Sequence, residues 1–393
     1  MSVSVLLCGM GGYGENYVKE YLSHPTIEDS RLVAIADPFA EKSPLYGQVK
    51  EQGIALYPSP DAFFAQGHAD LVVISSPIHT HYPYIMNALH HGCYVLTEKP
   101  VCFNLEQIDE MIEESRKQER FVAVGYQLCY SPDVLALKKD ILSGLYGRCR
   151  RMRTLRLMRR DDIYYHRNAW AGRLSCHGEV VLDSPFCNAC AHQAQNELFL
   201  FGKAMDETAK VAKVEGVIAR IRPSIENYDT AALVMTTEEG VPCYYYTSHA
   251  VDEKRVGPIS TFEFEKATIE EADHGFVAKA ADGTVIKDYR DMDKGKRMEK
   301  LSEVVRCITE GREPVCTLKT SREHTRAVLM AQDLGVTDLS ASAVRRQDEA
   351  ESDYYTIPGL TRLLEDSYAH WTLPRDIAKL DWSVTRSQGG FER

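Results

Sequence analysis

The chain of 393 residues lacks any run approaching the roughly 18 consecutive apolar residues that span a bilayer. It also lacks a surplus of positive charge: 46 Lys and Arg stand against 57 Asp and Glu, a net charge of −11. Such a balance repels phosphate backbones and anionic lipid surfaces, so the reading expects no nucleic-acid partner and no membrane partner. No basic leader or cleavage site surrounds the apolar start Val3 to Leu7, and the N-terminus is expected to be retained. Without an export signal, the odd count of eleven cysteines, from Cys8 to Cys316, reads as reduced thiols in a cytoplasmic protein. Repeats and low-complexity tracts are missing too. Only one C-x-x-C occurs, Cys187 to Cys190; structural zinc sites use two such pairs, so no metal is expected despite Cys176, His177 and His192 nearby.

What is present is ordinary globular composition, 44% hydrophobic and 26% charged, in a chain long enough for two or three domains. The first third alternates apolar β-branched runs with helical patterns, the form of a doubly wound parallel sheet of Rossmann type. Strands are expected at Val3 to Cys8, Leu32 to Asp37, Leu71 to Ser75, Tyr94 to Thr97 and Phe121 to Val124. Asn104 with Gln107 three positions on predicts a capped helix carrying Leu105, Ile108, Met111 and Ile112. From Thr230 to Val285 several strands separated by turn signals predict a second α/β domain with a large, mostly antiparallel open sheet. Helices are expected near Ala189 to Phe201 and Ser321 to Leu334. The reading divides the chain into residues 1–128 and 129–393, with the tail after Asp348 packing back on the body.

Gly9-Met10-Gly11-Gly12-Tyr13-Gly14 follows the first strand and opens a helix, the setting in which G-x-G-x-x-G binds a dinucleotide. The glycines allow the tight turn, the approach of backbone to pyrophosphate and close helix packing, while the helix start offers N–H groups to phosphate. Asp37, at the end of the second strand, suits a ribose hydroxyl and repels a 2′-phosphate, which favours NAD over NADP; Lys42 is the residue that could meet such a phosphate. Ser75-Ser76-Pro77-Ile78-His79-Thr80-His81 and Glu98-Lys99-Pro100 lie after later strands, at the carboxyl ends where open α/β sheets place ligands. A partly desolvated lysine there can exchange a proton with a substrate hydroxyl, or it can be a turn lysine paired to Glu98.

Together Gly9 to Gly14, Asp37, Ser75 to His81 and Glu98-Lys99-Pro100 resemble the Gfo/Idh/MocA oxidoreductases, named for glucose–fructose oxidoreductase and inositol dehydrogenase. The likeness covers most of the chain and is strongest over residues 1 to 130. It implies a Rossmann domain followed by an α/β domain whose open sheet mediates homo-oligomers, and oxidation or reduction of a secondary alcohol of a sugar or cyclitol. Cofactor contacts are then expected from Gly9, Gly11, Gly12, Tyr13, Gly14, Asp37, Ser75, Ser76, Pro77, His81, Glu98, Lys99 and Gln127, with Gly125-Tyr126-Gln127 reaching the nicotinamide side.

The family's lysine acts with a histidine of the second domain. Counting back from Phe201-Gly202 puts His192 at that place, with Asn188 four residues before it where the family has aspartate. Asp183 stands nine residues before His192 in what reads as an inserted turn, and the family's carboxylate is not carried over to it. Lys99 and His192 are thus expected to transfer the proton, with Asn188 positioning substrate. Tyr164, Arg167 and Trp170, in an aromatic loop with fixed donors, together with Tyr126, Asn188 and His192, are expected to bind the carbohydrate. Seven arginines between Arg148 and Arg160 read as a salt-bridged sheet or subunit contact, or as a seat for an anionic substrate such as a uronate. The expected activity is an NAD-dependent dehydrogenase of a sugar, glycoside or cyclitol. The alternatives are a glycosidase using transient C3 oxidation and a non-catalytic regulator sensing dinucleotide or sugar.

Overall fold

A computed structural model describes residues 2–292, 298–348 and 350–374. The chain divides into two compact units, Met1–Ser131 with Gly295–Arg322, and Pro132–Lys294 with Glu323–Arg393.

In the first unit six parallel strands, β1 (Val3–Cys8), β2 (Ser30–Ala36), β3 (Ala55–Tyr57), β4 (Leu71–Ile74), β5 (Tyr94–Thr97) and β6 (Val122–Val124), lie in the order β3-β2-β1-β4-β5-β6. This is the doubly wound Rossmann order, and the reversal between β1 and β4 is where such sheets bind ligands. The continuous run Leu71 to Ile74 is buried throughout, because a parallel strand has helices over both faces. Asn104 caps the helix Leu105–Lys117, its side-chain oxygen accepting from the N–H groups of Glu106 and Gln107.

The sequence reading placed residues 295–322 in the second domain, whereas they return to the first unit. The helix Glu299–Glu310 buries Leu301, Val304 and Val305, and its end is closed by Gly311 in the left-handed region. Beyond it Val124 N–H and the Tyr130 hydroxyl both donate to Cys316 O, tying the returning segment to β6.

The second unit is built on a nine-stranded sheet. Its strands are β7 (Cys149–Met158), then, past a two-residue pairing of β8 (Ser175–Cys176) with β9 (Glu179–Val180), β10 (Val211–Arg220), β11 (Thr230–Thr237), β12 (Pro242–Ser248), β13 (Arg255–Phe264), β14 (Thr268–Ala272), β15 (Gly275–Lys279), β16 (Val285–Asp288) and β17 (Val336–Asp338). The order is β16-β15-β14-β13-β7-β12-β11-β10-β17, antiparallel except for β7 with β12 and β10 with β17.

Side chains alternate across β7. Leu155 and Leu157 face one side and pack with Tyr246, Leu360 and Leu364, so the helix Leu360–His370 covers the centre of that face. The arginines of β7 are largely held within the unit. Arg151 pairs with Glu263 across the sheet at 2.6 Å, and Arg153 lies over the rings of Tyr368 and Trp371 at 4.3 and 4.2 Å. The part of the tail that the structure describes therefore packs on the body, and residues 375–393 lie outside the described residues. Among the described residues no helix is long and apolar enough to cross a membrane.

Candidate active site

The glycine loop after β1 is fixed by sterics. Gly9 has φ 89°, and a Cβ there would come within 2.9 Å of Ser76 backbone; at Gly14 a Cβ would lie 2.1 Å from Gly9 O. Gly11 differs, since among the described residues no atom beyond its own chain neighbours lies within 4 Å of the place where its Cβ would be. Asp37 joins the loop to the end of β2: Oδ2 accepts from Met10 N–H at 2.9 Å and Oδ1 from Phe39 N–H at 2.7 Å. Each oxygen keeps a second lone pair for a hydroxyl.

The helix Gly14–Ser23 starts at Tyr13 with no side-chain cap, and Ser75 Oγ is buried with no partner among the described residues. An uncapped helix start, an open glycine position and an orphan hydroxyl fit a dinucleotide's phosphates. Ser76 Oγ lies 2.6 Å from Thr80 Oγ1, which itself donates to Pro77 O, so these residues set the loop's shape.

His81 takes a different place from the one expected. Its ring is buried, with Nδ1 3.0 Å from Pro100 O and 3.1 Å from Val101 O, and Nε2 2.9 Å from Ser76 O. Burial holds its pKa below the usual range against these carbonyls, which favour the charged form. The ring braces the Ser76 loop to the segment after Lys99 and presents neither nitrogen to a cofactor.

Glu98 is the keystone under Lys99. Its Oε1 accepts from the Tyr17 hydroxyl at 2.6 Å and from the Lys300 ammonium, and Lys300 itself is fully buried against the rings of Tyr13 and Tyr17. Burial first, then the Glu98 charge, pushes the Tyr17 phenol well above its ordinary value. A Cβ on Gly125 would sit 2.9 Å from Glu98 Oε2, so the turn leading to Tyr126 and Gln127 closes directly over this carboxylate. Tyr126 is buried and Gln127 exposed. Glu98 thus anchors the loop internally, and Lys99, half-buried, follows it at the end of β5.

Sequence reasoning missed Lys300 altogether. The available signal was a lysine set on the apolar stripe of Leu301, Val304 and Val305.

In the second unit Ser184 caps a π-helical turn, Pro185–Ala189, by accepting from Cys187 N–H at 3.3 Å. The helix Ala191–Leu200 starts only after Cys190, whose φ and ψ of −113° and 11° break the run. This corrects the argument that i to i+4 spacing puts Asn188 and His192 on one helical face: they lie on either side of a break.

Asn188 is instead fixed by Asp183. Its Nδ2 donates to Asp183 Oδ1 at 2.7 Å, while Asp183 Oδ2 accepts from Gly172 N–H at 2.7 Å. A carboxylate accepts only, so the amide nitrogen must face it and the amide oxygen is turned elsewhere as an acceptor. Asp183, read as part of an inserted turn, is a buried carboxylate in contact with Asn188.

The C-x-x-C sulfurs separate, Cys187 Sγ donating to Leu182 O at 2.8 Å and Cys190 Sγ to Arg156 O at 3.8 Å. Among the described residues no group of three or more His, Cys, Asp or Glu is placed to hold a metal. Of the aromatic loop, Tyr164 already carries Arg167 against its ring at 3.5 Å, and Arg167 lies 5.2 Å from the ring of Trp170.

Residues 3–126 match the family model described as an oxidoreductase family with an NAD-binding Rossmann fold. D-glucoside 3-dehydrogenase of Escherichia coli is 28% identical over 42% of this chain and 46% of its own length. Inositol 2-dehydrogenase of Rubrobacter xylanophilus is 27% identical over 37% and 41%. The matched part thus spans less than half the length of these curated relatives. The crystal structure of the WlbA dehydrogenase from Bordetella pertussis, in complex with NADH and UDP-GlcNAcA, shares the fold with a TM-score of 0.68 and 20% identity over 85% of this chain and 97% of that one. The likeness to this oxidoreductase family is carried by residues 3–126 of the Rossmann unit.

Proposed function

We propose that the protein is an NAD-dependent dehydrogenase that oxidises, or in reverse forms, a secondary hydroxyl of a sugar, glycoside or cyclitol. The observation that carries the reading is Lys99, placed at the carboxyl end of β5 on a loop that buried Glu98, Tyr17 and Lys300 hold in place, in the unit with the glycine loop and Asp37. The named relatives act on a glucoside and on inositol, which supports this substrate class.

Asp37 would hold the adenosine ribose, the loop from Gly9 to Gly14 and Ser75 the phosphates, and Gln127 the nicotinamide side. NAD, when bound, supplies the acceptor for the hydride that leaves the carbinol carbon. Lys99 takes the hydroxyl proton in concert with His192 as the carbonyl forms. Asn188, its amide nitrogen held by Asp183, would position a substrate hydroxyl. The protein thus contributes orientation and proton transfer.

Assembly of copies through the large sheet would have to use strands other than β7 and β12 on the face that the helix Leu360–His370 covers.

The test is NADH formation on a panel of glycosides, uronates and inositols, with Lys99→Ala beside the unmodified chain. The substitution is expected to lower kcat by about 100-fold to 10,000-fold while NADH still binds. NADH binding without turnover of any polyol by the unmodified chain would refute the reading.

A further inference from the structure

Several described arginines of the second unit have a carboxylate partner: Arg148 has Glu265, Arg173 has Glu226, Arg220 has Asp338 and Arg222 has Asp162. Arg160 and Arg167 depart from this pattern. Both guanidinium groups lie against the ring of Tyr164, at 4.5 and 3.5 Å from its centroid. Among the described residues neither has a carboxylate partner. Arg167 donates to the Tyr164 carbonyl at 2.8 Å; Arg160 reaches Met158 Sδ, and its Nε is buried with no acceptor.

The neighbouring acids are occupied elsewhere. Asp161 accepts from Tyr164 N–H at 3.0 Å, Asp162 pairs with Arg222, and Asp183 holds Gly172 and Asn188.

Beside the same ring lies His249, edge-on to Tyr164 at 5.4 Å, with Nδ1 2.9 Å from the Tyr165 hydroxyl and Nε2 buried with no partner among the described residues. Burial, then Arg160, Arg167 and Arg222, hold its pKa well below the usual range, so the imidazole is neutral beside this excess of positive charge. The place is joined to Asn188 by packing. Tyr164 and Tyr165 meet ring to ring at 5.1 Å, Gly172 approaches Tyr165 so closely that a Cβ would be 3.2 Å from its ring, and Gly172 N–H donates to the carboxylate that fixes Asn188.

Two guanidinium groups without a counter-charge, fixed on one aromatic ring, suit the oxygens of an anion. We propose that Arg160 and Arg167 bind an anionic substituent, a carboxylate or phosphate, on the sugar or cyclitol that Asn188 orients. The inference rests on the polyol reading above and narrows it to acidic sugars.

The experiment is calorimetric titration of the NADH-loaded full chain with methyl β-glucuronide, glucose 6-phosphate and methyl β-glucoside. At least one anionic ligand is expected to bind about tenfold or more tighter than the glucoside. That preference is expected to fall toward one in Arg167→Gln, an exposed position that leaves the fold intact, and in Arg160→Gln. The better of the two anions identifies carboxylate or phosphate as the group bound. Equal binding of all three ligands, failure of both anions to bind, or a preference that survives both substitutions would overturn the proposal. An acidic sugar that binds with this preference yet yields no NADH with NAD would instead count against the oxidation reading alone.

Discussion

The two units build their sites from different materials. In the first, the decisive groups are backbone: glycines whose missing Cβ atoms let Gly9, Gly14 and Ser76 touch, with Asp37 bonded to main-chain N–H. In the second they are side chains held by other side chains, Asp183 fixing Asn188 across a π-turn. Their buried charges differ in the same way. Glu98 in the first unit is matched by Lys300, whereas Glu197 in the second is buried with no cationic partner among the described residues. A site made of backbone has to reuse a fixed glycine spacing, and a site made of side chains can be reached by several local geometries.

The largest effect expected on this contrast comes from unbalancing the matched pair. Lys300→Met leaves Glu98 buried without its counter-charge and should cost about 3–5 kcal/mol of stability by thermal unfolding, with Lys300→Met plus Glu98→Gln recovering much of it. A loss within experimental scatter would show that Glu98 does not depend on its ammonium partner.

Glu197 tests the unmatched case. Burial raises its pKa from 4.5 to about 8; the Thr154 hydroxyl, itself 2.8 Å from Ser260 Oγ, lowers it by less than burial raises it, and the Glu271 charge raises it further. The folded chain then keeps a proton that the unfolded chain releases between these values, so stability present below pH 4.5 is lost as pH rises toward about 8. Melts at pH 5 and pH 8 should differ in Glu197→Gln by less than in the unmodified chain, by on the order of 3 kcal/mol. Parallel pH curves would place the proton elsewhere.

Asp183→Asn keeps the shape of the carboxylate but loses the charge that fixes the Asn188 amide. On the polyol reading kcat should fall about tenfold with a smaller change in KM, since a charge-assisted hydrogen bond contributes roughly 1.5–3 kcal/mol. Substitution of Asn188 in that background should add little, because the two act as one unit.

The smallest effect is the most discriminating. Gly11→Ala meets no atom beyond its chain neighbours among the described residues and should unfold within about 0.5 kcal/mol of the unmodified chain, yet weaken NADH binding about tenfold in a fluorescence titration. Unchanged NADH affinity would mean that the loop does not hold the cofactor.

The same contrast governs what the sequence revealed. Strands β1, β4, β5 and β6 are apolar runs buried on two faces and were legible to within a residue or so; β3, three residues long, has too little pattern to read. The turn at the glycine loop and the position of Glu98-Lys99-Pro100 after β5 were legible because both are local features. Lys300 was not, since 202 positions separate it from Glu98 and only folding brings the helix Glu299–Glu310 back to the first unit. Asp183 was set apart because it stands nine residues before His192, in what read as an inserted turn. Asp183 and Asn188, five positions apart, meet where a π-turn follows the capping serine. For the seven arginines from Arg148 to Arg160, read as a salt-bridged sheet, a subunit contact or an anion seat, periodicity could not distinguish Arg151 in β7, paired with Glu263, from Arg160 beyond its end, which lacks such a partner among the described residues.

The central claim is that a carbinol hydrogen passes to nicotinamide under proton transfer by Lys99. Its most direct test is magnetic resonance of the nicotinamide after incubating the chain and NAD with polyols deuterated on every ring carbon. The account predicts deuterium at nicotinamide C4 with the unmodified chain and its loss in Lys99→Ala, which still binds NADH. Absence of deuterium at C4 with the unmodified chain, or deuterium transfer undiminished in Lys99→Ala, would contradict it.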